Sequence, residues 1–147
     1  MMLAANPGVP AAPLSKVASG GELARTMLAI RMVLTQGPPI LVFDEVDAGI
    51  GGSAANAMAE SLSRLAQAHQ IFVVTHLAQV AAVADHHVVV EKSIVDRKGA
   101  EITLATAAEV SGPRRVDEIA RMLSGRPDST AARRHAKELL ASRTSSD

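Results

Sequence analysis

The sequence predicts an α/β fold in which a mainly parallel sheet is flanked by helices and followed by a late hairpin and C-terminal helices. Three observations carry this reading. Two short apolar runs, Ile40–Phe43 and residues 71–75, are β-rich and too short for helices. An amphipathic stretch precedes each run, the order of a strand, crossover helix and parallel strand. The chain has two Phe and no Tyr or Trp, so its core must come from Leu, Ile, Val, Met and Ala, which suits close packing of helices on a sheet.

The elements follow in order. Asn6-Pro7-Gly8-Val9-Pro10 and the residues after it to Pro13 are turn-rich and continue neither a helix nor a central strand, so the chain is expected to begin with little structure. Ser19-Gly20-Gly21-Glu22 lead into a helix with Leu23, Met27, Ile30 and Leu34 on one face. Gly37-Pro38-Pro39 end that helix and feed the Ile40–Phe43 strand, an unbroken apolar run expected to be buried on both faces. The glycine-rich loop Val46-Asp47-Ala48-Gly49-Ile50-Gly51-Gly52 precedes a second helix with Ala55, Met58, Leu62 and Leu65 in register. Residues 71–75 then complete a right-handed βαβ unit that stops at His76. A short helix over 77–84 leads to a strand over 87–91. A turn at 96–99 leads to an alternating strand over 101–107, and helices follow over about 116–123 and 129–141.

Composition narrows the function. The chain has 147 residues, with 15 Lys plus Arg against 15 Asp plus Glu, so bulk charge does not mark a nucleic-acid or membrane surface. From Pro113 onward eight basic residues face five acidic ones, a modest excess that reads as a solvated helix face. The absence of cysteine excludes a disulfide framework or thiolate metal site and fits a reducing compartment. No apolar run has membrane-spanning length and no secretory leader is legible at the start. A cytoplasmic protein without a membrane partner is expected, with nucleoid association compatible with that location.

Three points have a physical job if the ligand is a nucleoside triphosphate. Two glycines at a helix start allow close backbone approach to an anion, which the free N–H groups and the helix dipole favour, and Ser19 adds a hydroxyl. An ordinary helix cap would look the same. At the strand end, Asp44 would hold Mg²⁺, through water, and Glu45 would polarise an attacking water as general base. His76, one strand over, would reach the terminal phosphate as a donor. A hydrolase triad of Ser19, His76 and Asp44 is disfavoured because Gly-x-Ser-x-Gly is absent. The histidines at 69, 76, 86 and 87 show no metal-site spacing on one element.

Together these residues resemble the second half of an ABC-type P-loop ATPase head. Ser19-Gly20-Gly21-Glu22 look like the signature motif, with Ala18 where many relatives carry Leu. Ile40–Phe43 with Asp44 and Glu45 look like the Walker B strand, and Thr75-His76 like the switch histidine. Asp44 lies 25 residues after Ser19, and His76 lies 32 after Asp44, spacings similar to those of such heads. Within that superfamily the closer resemblance is to the RecN family of SMC-like DNA repair ATPases. It is carried also by Ala4-Ala5-Asn6-Pro7-Gly8, Val46 to Gly52, Leu77-Ala78-Gln79-Val80-Ala81 and Glu118-Ile119-Ala120-Arg121-Met122-Leu123. Asp47 would then sit in the D-loop, beside the nucleotide, although Gly51 replaces an Asp common among relatives.

The resemblance implies one C-terminal lobe over 1–147. Its parts would be a signature region over 14–36, a Walker B to switch-histidine core over 40–92, and C-terminal helices over 113–141. No Gly-x-x-x-x-Gly-Lys-[Ser/Thr] occurs in the sequence. The resemblance therefore also implies partners: an N-terminal Walker A and coiled-coil part of the same protein, and a second head completing a homodimer across ATP. DNA would be reached only through the full-length protein. The strand of the missing phosphate loop would lie between 71–75 and 87–91, so its absence is expected to leave two strands unpaired. ATP and Mg²⁺ are the expected ligands, and the isolated chain is expected to be inactive. The alternative is a non-catalytic head fragment that serves as a protein-interaction module.

Overall fold

The computed structural model describes residues 2–3, 10, 12–13, 20–33, 37–97, 100–126 and 128–144. Ser19, Leu34 and the turn residues 98–99 lie outside the described residues. The chain divides into two compact units, Met1–Val80 and Ala81–Asp147.

In the first unit β1 (Met2–Leu3) pairs antiparallel with β2 (Ala12–Pro13), so the turn-rich start closes a minimal ribbon where little structure was expected. Helix α1 (Gly20–Val33) begins at the paired glycines. Strand β3 (Ile40–Phe43), helix α2 (Ser53–Ala66) and strand β4 (Gln70–Val73) follow as the expected βαβ unit. β3 and β4 are parallel, with Ile40 beside Gln70 and Phe43 beside Val73. The Val74 N–H donates to the Phe43 carbonyl at 2.9 Å, extending this register past the strand end. The first unit gains its core from Leu41 and Phe43 of β3, Val46 of the loop, Leu28 of α1, and Ala55, Met58, Ala59, Leu62 and Leu65 of α2. All four positions expected on the inner face of α2 are buried.

Two expectations about burial are corrected. β3 is buried on one face only: Leu41 and Phe43 point inward, while Ile40 and Val42 are 51% and 69% exposed. Phe72 and Val74 share that uncovered face at 53% and 62%. Successive strand side chains alternate between faces, and this unit supplies helices to one of them. In α1, Leu23 and Met27 are exposed, and the helix packs instead through Gly21 and Leu28. The apolar positions chosen by periodicity miss Gly21 because a residue without a side chain adds nothing to an apolar pattern.

Helix α3 (Ala78–Val83) carries the chain into the second unit. There β5 (Val88–Arg97) and β6 (Ala100–Glu109) form an antiparallel hairpin, each strand longer than its sequence pattern predicts. Among the described residues the strands form three separate two-stranded sheets, of which β3–β4 is parallel and the other two are antiparallel, where a mainly parallel sheet was expected. Every residue from Glu101 through Glu109 is exposed, and Val88, Val90, Ile94 and Leu104 place apolar surface on the hairpin. Helices α4 (Gly112–Ser124) and α5 (Thr130–Thr144) pack together through Ile119, Ala120, Ala132 and Ala136. Pro113 opens α4, and Gly125, at φ 73°, ends it with its N–H on the Arg121 carbonyl at 2.7 Å, the left-handed cap that glycine provides. Arg115 donates to the carbonyls of Ala81, Ala82 and Ala84 at 3.0, 3.2 and 2.6 Å, which ties α4 to the end of α3.

The uncovered face of β3 and β4 predicts self-association. Replacing Val42 and Phe72 together by Thr keeps β-favouring residues on the strands and removes most of the cross-strand apolar pair. The double variant is expected to sediment with less self-association than the parent. It should unfold within about 1 kcal/mol of it, the range for exposed positions.

Candidate functional site

The parallel register of β3 and β4 is what assembles the site. Phe43 lies beside Val73, so the residues that leave the two strands, Asp44 to Ala48 and Val74 to Leu77, emerge side by side. Asp44 and Glu45 are exposed at this edge. Glu45 adopts φ 55°, a left-handed conformation that costs a non-glycine residue about 1–3 kcal/mol and clusters at functional positions. The backbone turns at once, with the Ala48 N–H on the Glu45 carbonyl at 3.1 Å and the Ile50 N–H on the Asp47 carbonyl at 3.0 Å. This turn buries Val46 completely and leaves Asp47 only 3% exposed.

Asp47 does not face outward. Its Oδ2 accepts from the Thr75 hydroxyl at 2.5 Å and from the His76 N–H at 2.8 Å, and stands 3.0 Å from His76 Nδ1. The Thr75 oxygen in turn accepts from the Leu77 N–H at 3.0 Å. The loop after β3 is thus fastened to the loop after β4 by one buried carboxylate. Burial alone would push that carboxyl up, but the Thr75 hydroxyl and the His76 N–H and ring outweigh it. The net effect holds Asp47 below the ordinary carboxylate value. The His76 side chain is 72% exposed, so its ring edge stays open to solvent at the same sheet edge as Asp44 and Glu45.

The start of α1 closes on this loop. A Cβ on Gly21 would stand 2.8 Å from Ala48 Cβ, 3.0 Å from the Glu45 carbonyl and 3.1 Å from Arg25 Nη1. One turn on, Arg25 donates to the Ala48 carbonyl at 2.8 Å and lies 3.5 Å from that of Val46. Of the residues singled out in sequence, Gly20, Gly21 and Glu22 lie in the first turn of α1. Gly21 is against the Glu45–Ala48 turn, Asp47 joins His76, and Ser19 is outside the described residues. Sequence reasoning missed Arg25 and the bond from Asp47 to Thr75. Arg25 was findable, since it lies four residues after Gly21 and so on the same helical face.

A groove of about 220 Å³ runs beside Asp44, lined by Ala24, Met27, Arg31 and the residues of β3 from Leu41. It is smaller than the ~300 Å³ at which small-molecule pockets usually begin. Among the described residues no group of three or more acidic or histidine side chains converges as a metal cage. Asp44, exposed next to Glu45 at a strand end, is a carboxylate of the kind that could hold Mg²⁺, which binds through one or two carboxylates together with phosphate oxygens and water.

Two outcomes check this geometry. Gly21→Ala should lower stability by about 1–3 kcal/mol, because overpacking against a backbone carbonyl outweighs the helix-propensity gain of at most ~1 kcal/mol. Gly51→Ala, where nothing lies within 4 Å, should leave the melting temperature nearly unchanged. The second outcome concerns acid. Asp47 has a folded value below its unfolded 3.8, so its contribution is fully present above that pH and is lost as pH falls through the lower folded value. Urea unfolding at pH 7 and pH 3 should show a larger loss for the parent chain than for Asp47→Asn.

No family model matches the chain. Full-length relatives do. The DNA repair protein RecN of Deinococcus radiodurans is 56% identical over 141 residues, covering 96% of this chain and 24% of the relative. RecN of Streptomyces coelicolor is 49% identical over 142 residues, covering 95% and 24%. RecN of Halalkalibacterium halodurans is 42% identical over 145 residues, covering 97% and 25%. The chain spans about a quarter of the length of these relatives. By sequence, then, the chain is RecN-like, and what it matches is a segment of the DNA repair protein RecN.

Proposed function

We propose that this chain is the part of a RecN-like ATPase head that supplies the signature residues, the acidic strand end and the switch histidine for ATP hydrolysis in DNA double-strand break repair. The observation that carries the reading is the shared sheet edge. Asp44, Glu45 and His76 emerge together from β3 and β4, and the glycine start of α1 is pressed against the same turn. In this reading Asp44 holds Mg²⁺, and Glu45 takes a proton from the attacking water while its unusual backbone angle aims the carboxylate outward. His76 contacts the terminal phosphate. Ser19 with Gly20, Gly21 and Glu22 presents backbone N–H groups to a nucleotide held by a second head, and Mg²⁺ supplies charge neutralisation of the phosphates.

The rest of the site comes from the same longer protein. Its Walker A segment cradles the phosphates, and a second head completes the sandwich. The small groove beside Asp44 and the uncovered apolar face of Ile40, Val42, Phe72 and Val74 support this division, because contiguous exposed apolar surface on a sheet marks a place where another element packs. DNA is engaged through the full-length protein. The uncovered sheet face also favours a second reading, a non-catalytic fragment that docks on a partner through that surface.

The purified chain alone is expected to bind ATP weakly and to show no magnesium-dependent turnover. Mixed with a polypeptide carrying the remaining three quarters of a RecN relative, it should hydrolyse ATP. Glu45→Gln should then reduce turnover by at least about a hundredfold while preserving ATP-dependent dimerisation. Robust hydrolysis by the 147-residue chain alone would overturn the division of the site. Complex formation without hydrolysis would favour the docking reading.

A further inference from the structure

We infer that Asp47 is a positioning residue for His76: its buried carboxylate fixes the imidazole in the Nδ1–H tautomer and aims Nε2 out of the sheet edge. The functional meaning of this inference rests on the reading of His76 proposed above, but its geometry does not.

An ionised carboxylate only accepts hydrogen bonds. Asp47 Oδ2 already accepts from the Thr75 hydroxyl and the His76 N–H, and His76 Nδ1 stands 3.0 Å from the same oxygen. A bare Nδ1 lone pair at that distance would face a carboxylate oxygen and be repelled, so Nδ1 carries the proton. In the neutral ring Nε2 then holds the lone pair, the opposite of the tautomer that free imidazole side chains prefer.

The orientation is fixed by the same group. The carboxylate accepts from the His76 backbone N–H and stands 3.0 Å from the ring nitrogen of the same residue, which restricts the side-chain torsions of His76. Asp47 is itself held by burial and by Thr75, so the pair has a rigid base and an exposed tip: Asp47 is 3% exposed, against 72% for the His76 side chain. Such a carboxylate behind an imidazole sets which ring nitrogen meets the ligand. A consequence follows for the proposed site. With Nδ1–H committed to Asp47, His76 donates from Nε2 to a phosphate oxygen only as the imidazolium, after taking one proton from solvent at Nε2. As the neutral ring it accepts at that atom. Asp47 therefore acts through His76 and touches no nucleotide itself.

The test uses the chain as it stands. Long-range proton–nitrogen NMR correlations on the ¹⁵N-labelled chain, at a pH where the rings are neutral, distinguish protonated from unprotonated ring nitrogens. His76 should appear as the Nδ1–H tautomer in the parent and in Thr75→Val, and should shift towards Nε2–H in Asp47→Ala. A parent His76 found mainly as Nε2–H overturns the inference, even if Asp47→Ala does not fold. The second arm uses the complemented mixture. Asp47→Ala should lower kcat about tenfold or more, the usual scale for a partner that orients a functional histidine, and should add less than about twofold in a His76→Gln background. Equal losses in both backgrounds would make Asp47 merely structural. Absent turnover in the parent mixture would count against the ATPase reading and leave the tautomer result standing.

Discussion

The fold around the site depends on one buried charge. Asp47 lies in a turn that has folded inward, where an ionised carboxylate without partners costs far more than a loop can repay. It is tolerated because β4 ends beside β3, so that the Thr75 hydroxyl and the His76 N–H arrive within hydrogen-bond reach. Hydrogen bonds to a charged group are worth roughly 1.5–3 kcal/mol each, enough to offset burial and to leave the carboxyl easier to ionise than usual. The interaction works in both directions. The parallel pairing supplies the donors, and the carboxylate keeps the two strand ends in register beyond the last ladder bond.

Small residues make the second constraint. Gly21 lets the first turn of α1 lie on the Glu45 carbonyl and Ala48, and Arg25 fastens the contact by donating to the Ala48 carbonyl. The same turn holds Glu45 in its left-handed conformation and carries Asp47 inward. A displacement of α1 at Gly21 is therefore felt at Glu45 through a backbone contact, and at His76 through Asp47. Three motifs far apart in sequence thus share one tightly packed turn.

Much of this was legible before the structure. The apolar run ending in Asp44 and Glu45, the paired glycines at a helix start and His76 after the next strand all stand where their residue types predict. The inner face of α2 follows from helical periodicity. What was not legible has physical reasons. Periodicity counts apolar side chains and so overlooked Gly21, whose contact exists because it has none. Asp47 looked like a ligand-facing loop residue, since acidic side chains are rarely buried unless paired, and its partners lie 28 and 29 residues away. The hairpin was read too short because the exposed Glu91, Lys92 and Ser93 interrupt the apolar run of β5 after Val90 and the residues of β6 from Glu101 to Glu109 are exposed, so burial left no pattern at the far end.

The run Ile40–Phe43 poses the remaining question, because its sequence encodes two buried faces and the chain covers one. Alternation would have sufficed for a strand with one wet face, yet Ile40 and Val42 are as apolar as Leu41 and Phe43, and Phe72 and Val74 extend the dry surface onto β4. Leaving such side chains in water forgoes roughly 1.5–3 kcal/mol for each one that could be fully buried. The sequence of β3 is thus written for a sheet with helices or strands on both sides, and the second layer is not among the described residues of this unit. The relatives are about four times as long as this chain, and they have the length to supply it. The uncovered face and the small groove beside Asp44 then have a single cause: among the described residues this unit lays helices against one face of β3 and β4, and no second layer covers the other.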